Sequence, residues 1–209
     1  PGNPTGHVPG QEEMADAVRV AERHGVLVVT DEAYEAALWD GATLASAFGL
    51  TEDVVVVRSL GKSLSLPQLR LGIVSGPSAR ISRCAEALEW DSLRVNLAAQ
   101  TAALAVLEGP RDWLDDVHAG LVADRAAALA AVEATPGLLA PVPAAAPFLF
   151  VHAASGEAVA GALARAGVPV VDGVHFQAPG YARLPFGGGG HAREELVAAL
   201  ARWATGSAH

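Results

Sequence analysis

Apolar positions along the chain follow two rhythms. Residues 11–24 carry Met14, Ala17, Val18 and Ala21 at helical spacing, with acidic residues ahead of them and Gly25 behind. This pattern predicts an amphipathic helix. Val26-Leu27-Val28-Val29 is then an unbroken apolar run, as are Val54-Val55-Val56-Val57 and Leu71-Gly72-Ile73-Val74-Ser75. Runs of this length without alternation predict strands covered on both faces, as in a parallel sheet. The first two end in polar clusters, Thr30-Asp31-Glu32-Ala33-Tyr34 and Arg58-Ser59-Leu60-Gly61-Lys62. Sheets of α/β proteins gather their ligands at such carboxyl ends.

From 77 to about 134 the pattern is helical, over 77–90, 96–108 and a long stretch from Pro110, whose place after Gly109 suits a first helical position. Asp112, Asp115 and Asp116 complement the dipole at that start. Residues 135–147 hold four prolines and predict a loop. A strand over 148–151, a helix over 155–166, short strands at 168–171 and 181–185 and a closing helix over 191–204 follow. Helix–strand alternation predicts an α/β first part, and the C-terminal part reads as a smaller α+β unit. Cys84 is expected in a core, and Trp39, Trp90, Trp113 and Trp203 are expected as packing anchors.

Composition narrows the function. The chain has 209 residues, 14 basic against 23 acidic, for a net charge of −9. That balance argues against nucleic acid and anionic membranes as partners, and no apolar run approaches the roughly 18 residues of a membrane span. A single cysteine favours a reducing, cytoplasmic setting. The seven histidines show no metal-ligand spacing. Thirteen of the fourteen basic residues are arginine, and Lys62 is the only lysine. A surface ion pair tolerates arginine, whereas chemistry that needs a primary amine does not, so Lys62 is a candidate before any motif is read.

Asn3, Asp31, Tyr34, Ser59, Lys62, Arg70 and Arg183 form an ordered polar set, most of it at or beside the apolar runs. Pyridoxal 5'-phosphate requires this kind of set. It needs a lysine for a Schiff base, an acid beside its pyridine nitrogen, anion binders for its phosphate and donors at its phenolic oxygen. An amino-acid substrate needs an arginine for its carboxylate. The glycine run 187–190 lacks the strand–loop–helix context of a phosphate loop. The stretch around Gly61-Lys62-Ser63 has Val56 where a P-loop requires glycine.

Asn3-Pro4-Thr5-Gly6, Asp31-Glu32-Ala33-Tyr34, Ser59-Leu60-Gly61-Lys62, Leu69-Arg70-Leu71-Gly72 and the late Arg183 resemble, in order, the motifs of the class I/II aminotransferases, the fold-type-I pyridoxal phosphate enzymes. Their spacing is most similar to the histidinol-phosphate aminotransferase branch. The resemblance implies an α/β fold: part of the large pyridoxal phosphate-transferase type I domain, a mostly parallel sheet with helices, over residues 1–110. An interdomain helix and a small C-terminal α+β domain would follow over 111–209. It implies that Lys62 carries the cofactor and moves the substrate proton. Asp31 would face the pyridinium nitrogen, and Tyr34 and Asn3 the phenolic oxygen. Ser59 and Arg70 would hold the phosphate, and Arg183 the substrate carboxylate.

Gln68 departs from the glycine that family members often place before the Leu-Arg pair. The family also carries an N-terminal block ahead of the Asn-Pro-x-Gly turn, so the chain is expected to match the C-terminal part of such an enzyme. The implied partners are an amino acid and a keto acid, and either a second copy in a homodimer or a chain supplying that block. Other pyridoxal phosphate chemistry on an amino acid (decarboxylation, elimination, cyclisation) uses the same residues. A non-catalytic fragment or partner of a split enzyme is the remaining alternative.

Overall fold

The computed structural model describes residues 1–205, which fall into two compact units. The first comprises Pro1 and Val8–Asp115, and the second Gly2–His7 and Asp116 onwards.

The first unit opens with helix α1 (Gln11–Arg23). Its start is capped from inside, as the Glu13 carboxylate accepts a hydrogen bond from the Gly10 N–H at 3.3 Å. The helix turns Val18 and Met14 onto a small core with Val28, Ala47, Val54 and Val56. Strands β1 (Val28–Asp31) and β2 (Val54–Ser59) pair in parallel, Val28 opposite Val54 and Asp31 opposite Val57. A four-residue helix α2 (Leu60–Ser63) follows at once, then a 3-10 turn over Pro67–Leu69 and strand β3 (Gly72–Ser75). β3 runs antiparallel to β2, so the sheet, ordered β1-β2-β3, is mixed. Only β2 buries its first three valines as expected of a strand covered on both faces. Val29 on β1 and Ile73 and Val74 on β3 are each between 42% and 59% exposed, and since Ile73 and Val74 point to opposite faces, neither face of β3 is fully covered. At the amino end of β2, Arg80 clasps Asp53 with two bonds of 3.0 and 2.8 Å and holds its carboxyl below the ordinary carboxylate range.

Helices α3 (Ser78–Ser92) and α4 (Leu97–Glu108) complete the first unit, with the Asn96 side chain capping α4 through the Ala99 N–H. Cys84 and Trp90 both lie exposed on α3, against the expectation of core and anchor. The apolar residues of α3 are spread around its circumference, so spacing alone does not select a buried face. Trp39, by contrast, is buried.

Helix α5 (Asp112–Glu133) leads into the second unit. There β4 (Leu138–Leu139), β5 (Phe148–Ala153), β6 (Val171–Asp172) and β7 (Tyr181–Pro185) form an antiparallel sheet in the order β4-β5-β7-β6. Helices α6 (Ala160–Arg165) and α7 (Gly190–Ala204) contact one another, and their Leu163, Leu196 and Leu200 are buried, as are Leu149, Val151 and Leu184 of the sheet. α6 begins five residues later than its pattern predicts. β6 is two residues long and shares only Val171 with the expected run, since Pro169 offers no N–H to a ladder.

The glycine run before α7 is closed from within. Gly187, Gly188 and Gly189 all have positive φ. The buried Asp124 carboxylate accepts from the Gly189 N–H at 3.2 Å and from Arg193 Nε at 2.6 Å. The Gly189 amide therefore meets an anion supplied by α5.

Candidate active site

The carboxyl ends of β1 and β2 and the amino end of β3 lie on one side of the first unit's sheet and border a cavity of about 380 Å³. Asp31, Arg58, Ser59, Lys62 and Arg70 line it, a size within the roughly 300–1,000 Å³ of small-molecule sites.

Asp31 closes β1, and its Oδ1 accepts from the Ala33 N–H at 2.9 Å, which fixes the turn that follows. That turn presents Tyr34. Ser59 ends β2 at the N-cap position of α2, with no capping bond from its side chain, and the first turn of α2 carries Lys62. The Lys62 Nζ lies 4.4 Å from the centroid of the Tyr34 ring, in cation–π range.

The turn is tight because of Gly61. A Cβ there would sit 3.1 Å from Pro67 Cα and 3.3 Å from Leu66 O. Gly72 is held as closely, since a Cβ on it would meet Arg58 O at 2.8 Å. Between these glycines Arg70 adopts the left-handed region at φ +53°, at the end of the 3-10 turn that contains Gln68.

Behind the cavity lies a polar chain that pattern reading did not single out. Arg58 donates to Glu32 Oε2 through Nη2 at 2.8 Å and Nε at 3.2 Å, and its Nε lies 2.7 Å from Glu35 Oε2. Glu32 is buried, and its other oxygen accepts from Ser46 Oγ and Thr30 Oγ1. The Ser63 hydroxyl stands 3.3 Å from Glu35 Oε1 and 3.1 Å from Ser59 O. A buried carboxylate requires a partner of this kind. The one signal in the sequence is that Glu32 and Arg58 sit at neighbouring strand ends.

Asn3 and Arg183 belong to the second unit and meet there. Arg183, on β7, donates through Nη1 to Asn3 Oδ1 at 3.0 Å. Its guanidinium lies 5.3 Å from the ring centroids of both Phe148 and Phe176. Its Nε is buried and has no hydrogen-bond partner. The two phenylalanines were likewise not singled out by the sequence pattern.

The first unit thus offers a primary amine over an aromatic ring, with one carboxylate, one hydroxyl and two guanidinium groups around it. That suits an anionic carbonyl compound. No group of three or more metal-ligating side chains occurs among the described residues, and no helix among them is long and apolar enough to cross a membrane.

Residues 1–202 match the family Aminotransferase class I and II. An aspartate aminotransferase of Bacillus sp. (strain YM-2) is 26% identical over 217 aligned positions, covering 97% of this chain and 55% of its own length. A probable aspartate/prephenate aminotransferase of Aquifex aeolicus is 28% identical, covering 89% of this chain and 51% of its own. A double mutant of Thermus thermophilus aspartate aminotransferase superposes with a TM-score of 0.88 at 29% identity, covering 98% of this chain and 55% of that one. The chain spans about half the length of the curated relatives it matches.

Proposed function

The chain belongs to the class I and II aminotransferases, fold-type-I enzymes that depend on pyridoxal phosphate, and from that membership we propose that it serves amino-group transfer between an amino acid and a 2-keto acid. The observation that carries this reading is the cavity shared by Asp31, Ser59, Lys62 and Arg70. The residues fit the cofactor: an amine, an acid, a hydroxyl and a guanidinium line one space.

In this proposal Lys62 Nζ holds the cofactor and, once freed, takes the proton from the substrate α-carbon. Asp31 keeps a proton on the pyridine nitrogen by offering it a carboxylate. Ser59 Oγ and Arg70 hold the phosphate. Tyr34 Oη donates to the phenolic oxygen. Asn3 does the same with its amide N–H, since its Oδ1 is already taken by Arg183. The bound cofactor supplies an electron sink for the bond that breaks at the α-carbon.

Arg183 grips the substrate carboxylate between Asn3 and the two phenylalanines. The substrates of the named relatives, aspartate and prephenate, are the first to test, with the histidinol-phosphate branch suggested by motif spacing beside them. Residues 1–110 would serve the cofactor, and 111–209 would form the interdomain helix and small domain. A homodimer in the cytoplasm belongs to the same proposal.

The test uses the lone lysine. The chain, alone and with any co-purifying polypeptide, is incubated with pyridoxal phosphate, reduced with borohydride and digested. A pyridoxyl adduct on the Lys62 peptide supports the reading. No adduct under either condition in folded protein overturns it and favours a non-catalytic role. Arg183→Lys separates substrate from cofactor binding. The adduct is expected to persist, while KM for the amino acid rises roughly 10- to 100-fold, the loss expected from one charge-assisted bidentate contact.

A further inference from the structure

Lys62 makes no ion pair among those described, yet the turn that carries it is tied to the most connected charged group of the first unit. From Arg58 the contacts run to Glu35 (2.7 Å), from Glu35 to Ser63 (3.3 Å) and so to the residue beside Lys62. Arg58 also lines the same cavity as Lys62. The charged groups lining that cavity are Asp31, Arg58, Lys62 and Arg70, with Glu32 and Glu35 held behind Arg58.

We propose that Arg58 is a positioning residue for Lys62. It neutralises Glu32 and Glu35 and, through Glu35 and Ser63, holds the lysine-bearing turn. The proposal rests on the reading of Lys62 as the functional amine.

Two physical effects support it. Charge-assisted bonds from one guanidinium to two carboxylates are short and directional, so Glu35 has a fixed place from which to meet Ser63. Glu32, almost wholly buried, also needs the opposite charge. Without Arg58, two uncompensated carboxylates would stand behind the cavity. Their uncompensated charge would act on the amine that shares the cavity with Arg58.

Because Lys62 is the only lysine, the state of its amine can be read with no cofactor present. Trace acetylation by acetic anhydride at fixed neutral pH, quantified on the Lys62 peptide, measures the free, accessible amine. Arg58→Gln is expected to slow labelling roughly three- to tenfold, the scale of one or two added charges at a partly exposed site. Arg58→Lys restores most of the wild-type rate by keeping the charge. Glu35→Gln removes one carboxylate while its side-chain oxygen still accepts from Ser63, so the turn stays tied and labelling is expected to speed. The opposite signs distinguish this role from a merely structural one, in which both variants would change labelling alike.

Should Arg58→Gln fail to fold by circular dichroism, Glu35→Gln and Arg58→Lys still decide. Wild-type labelling in folded Arg58→Gln, or slower labelling in Glu35→Gln, overturns the proposal. A wild-type chain that labels at Lys62 but never takes up pyridoxal phosphate defeats the cofactor reading instead, and the two failures stay distinguishable.

Discussion

On the proposed reading, Lys62→Ala is expected to abolish the borohydride-trapped adduct and to lower amino transfer by at least about 10³-fold, since it would remove both the covalent anchor and the proton-transferring group. Lys62→Arg is expected to do no better. Arginine restores the charge but offers no amine that loses its proton near neutral pH. The comparison matters here because every other basic side chain that is not histidine is already arginine. Folding should survive both changes, as Lys62 is exposed on a short turn whose geometry is set by Gly61 and Ser63. Absorbance of the bound cofactor, the adduct mass and a keto-acid product assay together check the expectation. An active Lys62→Arg would remove Lys62 from the chemistry.

The largest effect on stability is expected at Asp124. Its carboxylate is buried, bonded to Arg193 Nε at 2.6 Å, and also satisfies the Gly189 N–H. Asp124→Ala deletes one partner of a buried ion pair and leaves the Arg193 guanidinium and the Gly189 amide without it. Such losses cost about 3–5 kcal/mol. In a chain of this size that lowers Tm by roughly 6–20 °C. Thermal melts followed by circular dichroism test this, and a shift under about 2 °C would mean that water replaces the carboxylate at little cost. Arg193→Ala strands the same carboxylate and is expected to fall in the same range.

Much of the cavity was legible because its parts sit at strand ends. Uninterrupted valines announce β2, and the polar residues that follow them are where an α/β sheet binds its ligand. Asp31, Ser59 and Lys62 were found this way, and Lys62 also stood out by composition. What stayed hidden was tertiary. Glu32 and Arg58 lie 26 residues apart, and nothing local marks them as a pair. The direction of β3 and the exposure of its valine and isoleucine depend on which strands lie beside it, which an apolar run does not encode. Cys84 and Trp90 were misassigned because an apolar residue on a helix with no single apolar stripe has no preferred side. The glycine run before α7 looked like a turn with an uncommitted backbone, and only the fold shows that Asp124 engages it.

The two candidate recognition points differ in how much chain each must close. Around the lysine, the contacts of Arg58 with Glu32 and of Ser63 with Glu35 span 26 and 28 residues, whereas Arg183 meets Asn3 across 180. Loop-closure entropy grows with the logarithm of that span, so the longer contact costs about 1.6 kcal/mol more to form. Contacts of low sequence separation also form sooner. The contacts around the amine are therefore the more local of the two, while the Arg183–Asn3 contact is expected to wait until segments 180 residues apart have met.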